Sequence, residues 1–318
     1  MRKRGCLGCS FPLIIGISII LVVLTILGFI SGSIGRSIFG DVGPSWLRVP
    51  NPEPQLPPGV IFHIGSFGVT NTMLTAWISI LLIIGLSYFA FRRPKLVPTG
   101  LQAVMEYVFG SLLDFCQSVA GEKNGRRFFP VVSTIFIFVL VNAWISLLPF
   151  YGDAILRHIH GSEVPVFRGA NTDLNLTLAL ALFSFICIEF YGIKDLGLAG
   201  YLSKFIRVRQ IKEGIIQLFK GKVKSALGTL FFGAIDFIVG LLETLSEFIR
   251  IVSFSFRLFG NMLAGEILLL VTAFLIPMVF AIPFYGLEFL FSFVQALIFG
   301  GLTLVFMTVA VSGHEEEH

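Results

Sequence analysis

The chain has 318 residues, of which 55% are hydrophobic and only 13% charged, with 35 phenylalanines and a formal net charge of +4. Apolar residues in that proportion, spread along the whole length without a long polar domain, exclude a soluble globular protein and describe an all-α polytopic membrane protein. The positive balance comes from lysines and arginines between the apolar runs, with no continuous basic face, so it reports topology and excludes nucleic-acid binding.

The first apolar run, Phe11 to Ile30, follows Arg2, Lys3 and Arg4 and is long enough to span a bilayer. It reads as an uncleaved anchor; the small residues Ser31, Gly32 and Ser33 also fit a cleavage site, so a removed signal is the alternative. Cys6 and Cys9 form a C-x-x-C without the second pair that a tetrahedral metal site needs. Neither a metal nor a disulfide framework is therefore expected, and Cys116 and Cys187 read as core. Residues 32–70 form a Gly- and Pro-rich loop (Pro50, Pro52, Pro54, Pro57, Pro58) that cannot be helical through its prolines. A second span runs from about Thr72 to Phe91 and stops at Arg92, Arg93 and Lys95.

Thr99 to Ala120 carries Glu106 and Asp114 among apolar residues and suits a helix lying along the membrane surface or against other helices. Lys123, Arg126 and Arg127 separate it from a third span, about Phe128 to Phe150, and a fourth runs from about Asp173 to Ile193. Between these two lies an irregular loop with His158 and His160, a pair too isolated to specify metal binding.

Charge asymmetry orients the spans. Residues 92–127 carry six Lys or Arg and 194–224 carry eight, whereas 32–71 and 151–172 carry two each. The basic loops are assigned to the cytoplasm, which places Arg2 to Arg4 inside and the Pro-rich loop outside. In a Cys-free background, Gln55→Cys should therefore react with a membrane-impermeant maleimide in intact cells and Ser10→Cys should not. An intact mass that starts near Gly32 or Ser33 would instead identify the first run as a removed signal.

The chemistry is concentrated in the last third. Leu227 to Ile276 is a stretch of about fifty residues without proline or charge cluster, which as a helix measures roughly 75 Å against a hydrocarbon core near 30 Å. A single straight crossing is impossible: either a hairpin breaks it, at Gly233 or Gly240, or the helix is strongly tilted. Pro277 and Pro283 mark a turn before a final helix, Gly286 to Val311. About six hydrophobic helices result, the last two forming a long, tilted hairpin.

Arg257 stands in this stretch, and an arginine at membrane depth costs roughly 2.5–3.5 kcal/mol without the option of losing its proton. An acid must meet it. At about 100° per residue, with Arg257 at zero, Arg250 falls near 20°, Asn261 and Glu243 near 40°, Asp236 near 60° and Ser246 near −20°, a single stripe; Glu266 falls near 180°. In the final helix Glu288 and Gln295 share a face with Ser292 between them. Folding the two helices antiparallel about Pro277 sets Glu266 beside Glu288, and Arg257 beside Gln295 roughly 14 Å deeper by the helical rise. Glu243, with Asp236 and Glu247 as lesser candidates, lies beyond Arg257. Acids on both sides of one fixed cation suggest two half-access proton paths with a barrier between them. The plainer alternative is that Arg257 and Arg250 neutralise Glu243, Glu247 or Asp236 in a packed bundle, with Asn261 and Gln295 as helix–helix contacts; Arg250 is expected to be structural.

The segment R-L-F-G-N-M-L-A-G-E (257–266), preceded by L-E-x-x-S (242–246) and followed by V-Q-A-L-I-F (294–299), closely resembles subunit a of F-type ATP synthases. V-P-T-G-L-Q-A-V-M-E (97–106), F-V-L-V-N-A-W-I-S-L-L-P (138–149) and D-L-N-L-T-L-A-L-A-L (173–182) extend the likeness over most of the chain. The resemblance implies a membrane stator subunit of a bacterial plasma (inner) membrane, with the last hairpin packed against a rotating c-ring. Partners would be that ring, the peripheral-stalk subunit b, the other ATP synthase subunits and membrane lipid, with no cofactor. Residues 1–71 would be an N-terminal anchor and external loop, and 72–318 the proton-channel domain. By position, Arg257 would be the essential arginine, Asn261 and Gln295 its polar neighbours, Glu266 and Glu288 the outer half-channel acids, and Glu243 with Ser246 residues of the inner half-channel. The anchor at 11–30 and the basic segment 204–224 exceed the compact form of that family.

ATP chemistry would reside on other subunits, and the chain carries no phosphate-binding loop of the Walker type. A Na⁺-translocating version of the same subunit is the nearest alternative. A secondary transporter is the next; it would be built from repeated halves around a midplane site, and no internal repeat is seen.

Overall fold

The computed structural model describes residues 11–40, 57–148, 152–159, 162–205, 212–213, 215–216 and 223–312. Arg2 to Arg4, Cys6, Cys9, Pro50, Pro52, Pro54, His160, the tail after Ser312 and most of the basic segment 204–224 lie outside the described residues.

Helices dominate. α1 (Phe11–Ser31) and the short α2 (Ser33–Phe39) meet at Gly32 with a bend of 69°. A side chain at Gly32 would run into the carbonyl of Leu275. Next in order are α3 (Asn71–Phe91), α4 (Leu101–Ser146), α5 (Leu174–Phe205), α6 (Val223–Leu275) and α7 (Ile282–Ser312). Among the described residues, five helices are long and apolar enough to cross a membrane, or six when the bent pair α1/α2 counts as one span. The chain is an all-α polytopic membrane protein, as its composition requires.

Two glycines do work that periodicity does not reveal. α4 runs through both the expected surface helix and the third span, and at Gly121 φ is 78° and ψ 165°. Gly197, with φ 75° and ψ 156°, interrupts α5 in the same way beyond the fourth span. Both conformations are essentially confined to glycine, and another residue there would cost about 1–3 kcal/mol. After Gly197, Tyr201 packs back over Gly192, where a Cβ would meet its ring. Burial, and then the neighbouring Glu189, raise the Tyr201 hydroxyl well above its ordinary pKa.

α6 decides between the two alternatives for the last third. It is one helix of 53 residues, continuous through Gly233 and Gly240, and at 1.5 Å per residue about 80 Å long. No hairpin interrupts it, so length alone requires a strong tilt in a hydrocarbon layer near 30 Å thick. Pro277 ends this stretch, a 3₁₀ turn covers Met278–Ala281, and α7 starts at Ile282 with Pro283 in its first turn, where the missing N–H would have had no helical partner.

Two loops are more regular than their composition suggests. β1 (Val60–Ile64) pairs antiparallel with β2 (Phe67–Thr70), closing at Gly65 and Ser66. Gly65 has φ 65°, the positive value that a tight hairpin turn needs at its first central residue. β3 (Gly152–Ile159) pairs antiparallel with β4 (Ser162–Phe167), so the expected irregular loop with His158 is a hairpin. Among the described residues no group of three His, Cys, Asp or Glu side chains converges as a metal site would require.

The chain divides into two compact units. The first comprises residues up to Thr75, Ala143–Thr172 and Gly260–Val294. It contains α1, α2 and both hairpins. The second comprises Ala76–Asn142, Asp173–Phe259 and Gln295 onward. Its core is built by α4, α5 and α7 from Cys116, Phe128, Val132, Ile188, Leu304 and Met307. Hydroxyl pairs tie helices there, Ser184 to Thr303 at 2.8 Å and Thr177 to Ser255 at 3.2 Å. Such contacts supply specificity where apolar surface is equally content in lipid.

Candidate functional site

The second unit carries Arg257, Gln295, Glu243 and Ser246. Phe254 and Leu258 turn inward from α6, at 5% and 0% exposure, and Phe254 packs on Phe299 and Phe306 with ring centroids 5.1 and 5.8 Å away. Arg257 lies between these anchors in sequence and points out of the unit: it is exposed, as is Ser246, while Glu243 is half-buried. Gln295 is buried on α7. Of the polar stripe read from the helical period, Ser246, Arg257 and Asn261 are exposed, whereas Glu243 and Arg250 are half-buried.

Arg250 and Arg257, seven residues apart on that stripe, have opposite surroundings. Arg250 donates to Glu247 at 2.6 Å, and its guanidinium lies 3.8 Å from the ring centroid of Phe306. Arg250 is the structural cation it was expected to be, with a buried carboxylate as partner. Among the described residues no ion pair or side-chain hydrogen bond engages Arg257. Neutralisation within the bundle therefore describes Arg250 and not Arg257. A guanidinium on an apolar helix remains charged at any membrane depth, and that charge is costly there.

In the first unit, Asn261 lies on the exposed side of α6, one turn beyond Arg257 in sequence, and Glu266 is half-buried. Glu288 is buried at 6% exposure and lies against Gly265, the residue before Glu266; a Cβ on Gly265 would occupy the place of its carboxylate. The hairpin thus brings Glu288 to the level of Glu266, as the spacing about Pro277 requires. Trp144 stacks on Phe289 with centroids 4.2 Å apart, and its ring N–H reaches the Phe289 carbonyl at 3.4 Å. These contacts hold the segment of α7 that carries Glu288.

The sequence reading missed Arg168. It enters there only as one of the two basic residues of 151–172, yet its side chain is buried beside Glu266. Nε lies 3.2 and 3.4 Å from the two Glu266 oxygens, Nη2 lies 3.3 Å from Oε2, and Nη1 donates to the Pro57 carbonyl at 3.3 Å. The signal available was its place between β4 and the start of α5, in a loop otherwise poor in charge. Glu266 and Glu288 therefore sit at one level in unlike surroundings: Glu266 in an ion pair, and Glu288 without an ion pair or hydrogen bond among the described residues.

Comparison with known proteins identifies relatives of the chain. The family model described as ATP synthase A chain matches residues 73–308, a range that includes every candidate residue on α6 and α7. The chain is also 32% identical over 258 residues to ATP synthase subunit a of Gloeobacter violaceus, covering 81% of this chain and 90% of that protein.

Proposed function

This chain belongs to the ATP synthase A chain family, and on that premise we propose that it is the proton-translocating stator subunit of a rotary F-type ATP synthase in a bacterial plasma membrane. One observation carries the reading: Arg257 stands on the open face of α6 with no acid of its own chain, among the described residues, to neutralise it. A carboxylate on a passing c-ring helix fits that requirement. Arriving deprotonated, it pairs with Arg257, which cannot hand over its proton; protonated, it moves into lipid at little cost. Glu266 and Glu288 line the outer half-channel, Glu243 and Ser246 the inner one, and Asn261 and Gln295 flank the arginine between them. Each elementary charge crossing 100 mV releases roughly 2.3 kcal/mol, and the arginine keeps that energy from dissipating as a direct leak.

In this reading the subunit conducts ions and leaves ATP chemistry to the catalytic head. The anchor and outer loop through residue 71 precede the channel domain, and subunit b holds it against rotation. The supporting experiment is purification of the tagged chain from membranes in mild detergent. A c-ring, subunit b and an ATPase head should accompany it, and ATP should acidify inverted vesicles in sodium-free medium. A chain isolated without any ring would sink the reading. Pumping that requires Na⁺ and persists with a protonophore would assign the sodium-translocating variant.

A further inference from the structure

Glu266 and Glu288 both belong to the outer half-channel in the function proposed above, and the present inference rests on that reading. A group that relays protons must occupy its charged and neutral states in turn. Glu266 is poorly placed to do so. Both of its oxygens accept from the guanidinium of Arg168, at 3.2, 3.4 and 3.3 Å. Arg168 is itself buried, and it cannot deprotonate to compensate. A proton on Glu266 would leave a buried cation without its counter-charge, the situation in which breaking an internal ion pair is most damaging. The fourth contact, from Nη1 to the Pro57 carbonyl at 3.3 Å, fixes the guanidinium from its other side. Glu288 differs on each count. It is buried, it lies against the backbone of Gly265, and no cation among the described residues fixes its charge.

We infer that Glu266 is not a proton carrier but the fixed counter-charge of Arg168, a positioning pair that ties the outer loop at Pro57 to α6, and that Glu288 alone carries the proton on the outer side. Two acids at one level thus have two roles, one shaping the wall of the entry path and one carrying its cargo.

The test uses the assembled complex in vesicles, with transport expressed per complex containing the ring. Glu266→Gln and Arg168→Gln each leave one partner unmatched and should lower proton transport at least about tenfold, while the double Arg168→Gln, Glu266→Gln variant should recover to within about threefold of the original. Arg168→Lys, which keeps the charge without the fork, should fall between the single variants and the unmodified chain. Glu288→Gln should be at background both alone and in the double variant. If a single variant fails to assemble, recovery of assembly and transport together in the double variant supports the same pairing. A double variant as inactive as Glu266→Gln alone would overturn the inference by showing that the carboxylate itself is needed. So would Glu266→Gln at full rate, or transport by the double variant that survives Glu288→Gln. Failure of the channel reading looks different: pumping would then be indifferent to Glu288 and Arg257 in the otherwise unmodified chain.

Discussion

Replacing Arg257 with alanine is expected to reduce ATP-driven proton pumping by inverted vesicles to background while leaving the complex assembled. The two halves of that expectation have separate causes. Assembly survives because Arg257 is exposed and engages no side chain of its own chain among the described residues, so its removal opens no cavity and strands no partner. Pumping fails because nothing remains to hold the arriving carboxylate ionised or to separate the two access paths. Passive proton leak should rise for the same reason. Arg257→Lys should be severely impaired but not equivalent to alanine, since a lysine is a point charge that can lose its proton when desolvated. Normal pumping by Arg257→Ala, in complexes with a full ring, would end the gate hypothesis.

Gly265→Val should come close to the same loss by a different route. A side chain there takes the place of the Glu288 carboxylate, and that carboxylate is the far end of a flexible side chain, so the helices need not separate; Glu288 swings away instead. A reacting group displaced by about 1 Å can cost on the order of a hundredfold in rate, and transport should fall at least about tenfold with assembly intact. Gly286→Ala is the control, because a Cβ at Gly286 meets nothing within 4 Å. In the milder Gly265→Ala background, Glu288→Asp shortens the acid by one methylene and should restore part of the activity. Equal transport by Gly265→Val and Gly286→Ala would mean that the position of the Glu288 carboxylate is immaterial.

The helical stripe through Glu243, Ser246, Arg257 and Asn261 was legible because a continuous helix obeys one period, and α6 continues for 53 residues. The level of Glu266 and Glu288 followed from counting outward from Pro277, since two antiparallel helices keep register from a single turn. What the sequence could not disclose depended on contacts distant along the chain. Arg168 and Glu266 are separated by 98 positions, and no local pattern links a loop arginine to one carboxylate out of several. Gly121 and Gly197 lie just past the ends of the expected helices, and only their dihedral angles reveal the breaks they make. The hairpins β1–β2 and β3–β4 were hidden by neighbouring prolines and charges, which in a membrane protein are read first as loop. Likewise Arg250 and Arg257 share a helix face, and only the positions of Glu247 and Phe306 tell them apart.

The length of α6 has a mechanical consequence. If about 80 Å of helix is to remain in an apolar layer near 30 Å thick, its axis inclines by roughly 70° from the membrane normal. Such an element is a ramp: sliding along it changes depth slowly and sideways position quickly, by more than two units across for each unit down. A voltage acts only on depth, whereas the ring of the function proposed above would move only sideways. In that function the incline would act as a gear, trading a short vertical drop in potential for a long tangential stroke at lower force, with its slope setting the mechanical advantage. A steeper helix with the same side chains would shorten the stroke, and a helix parallel to the membrane would feel no voltage along its length at all.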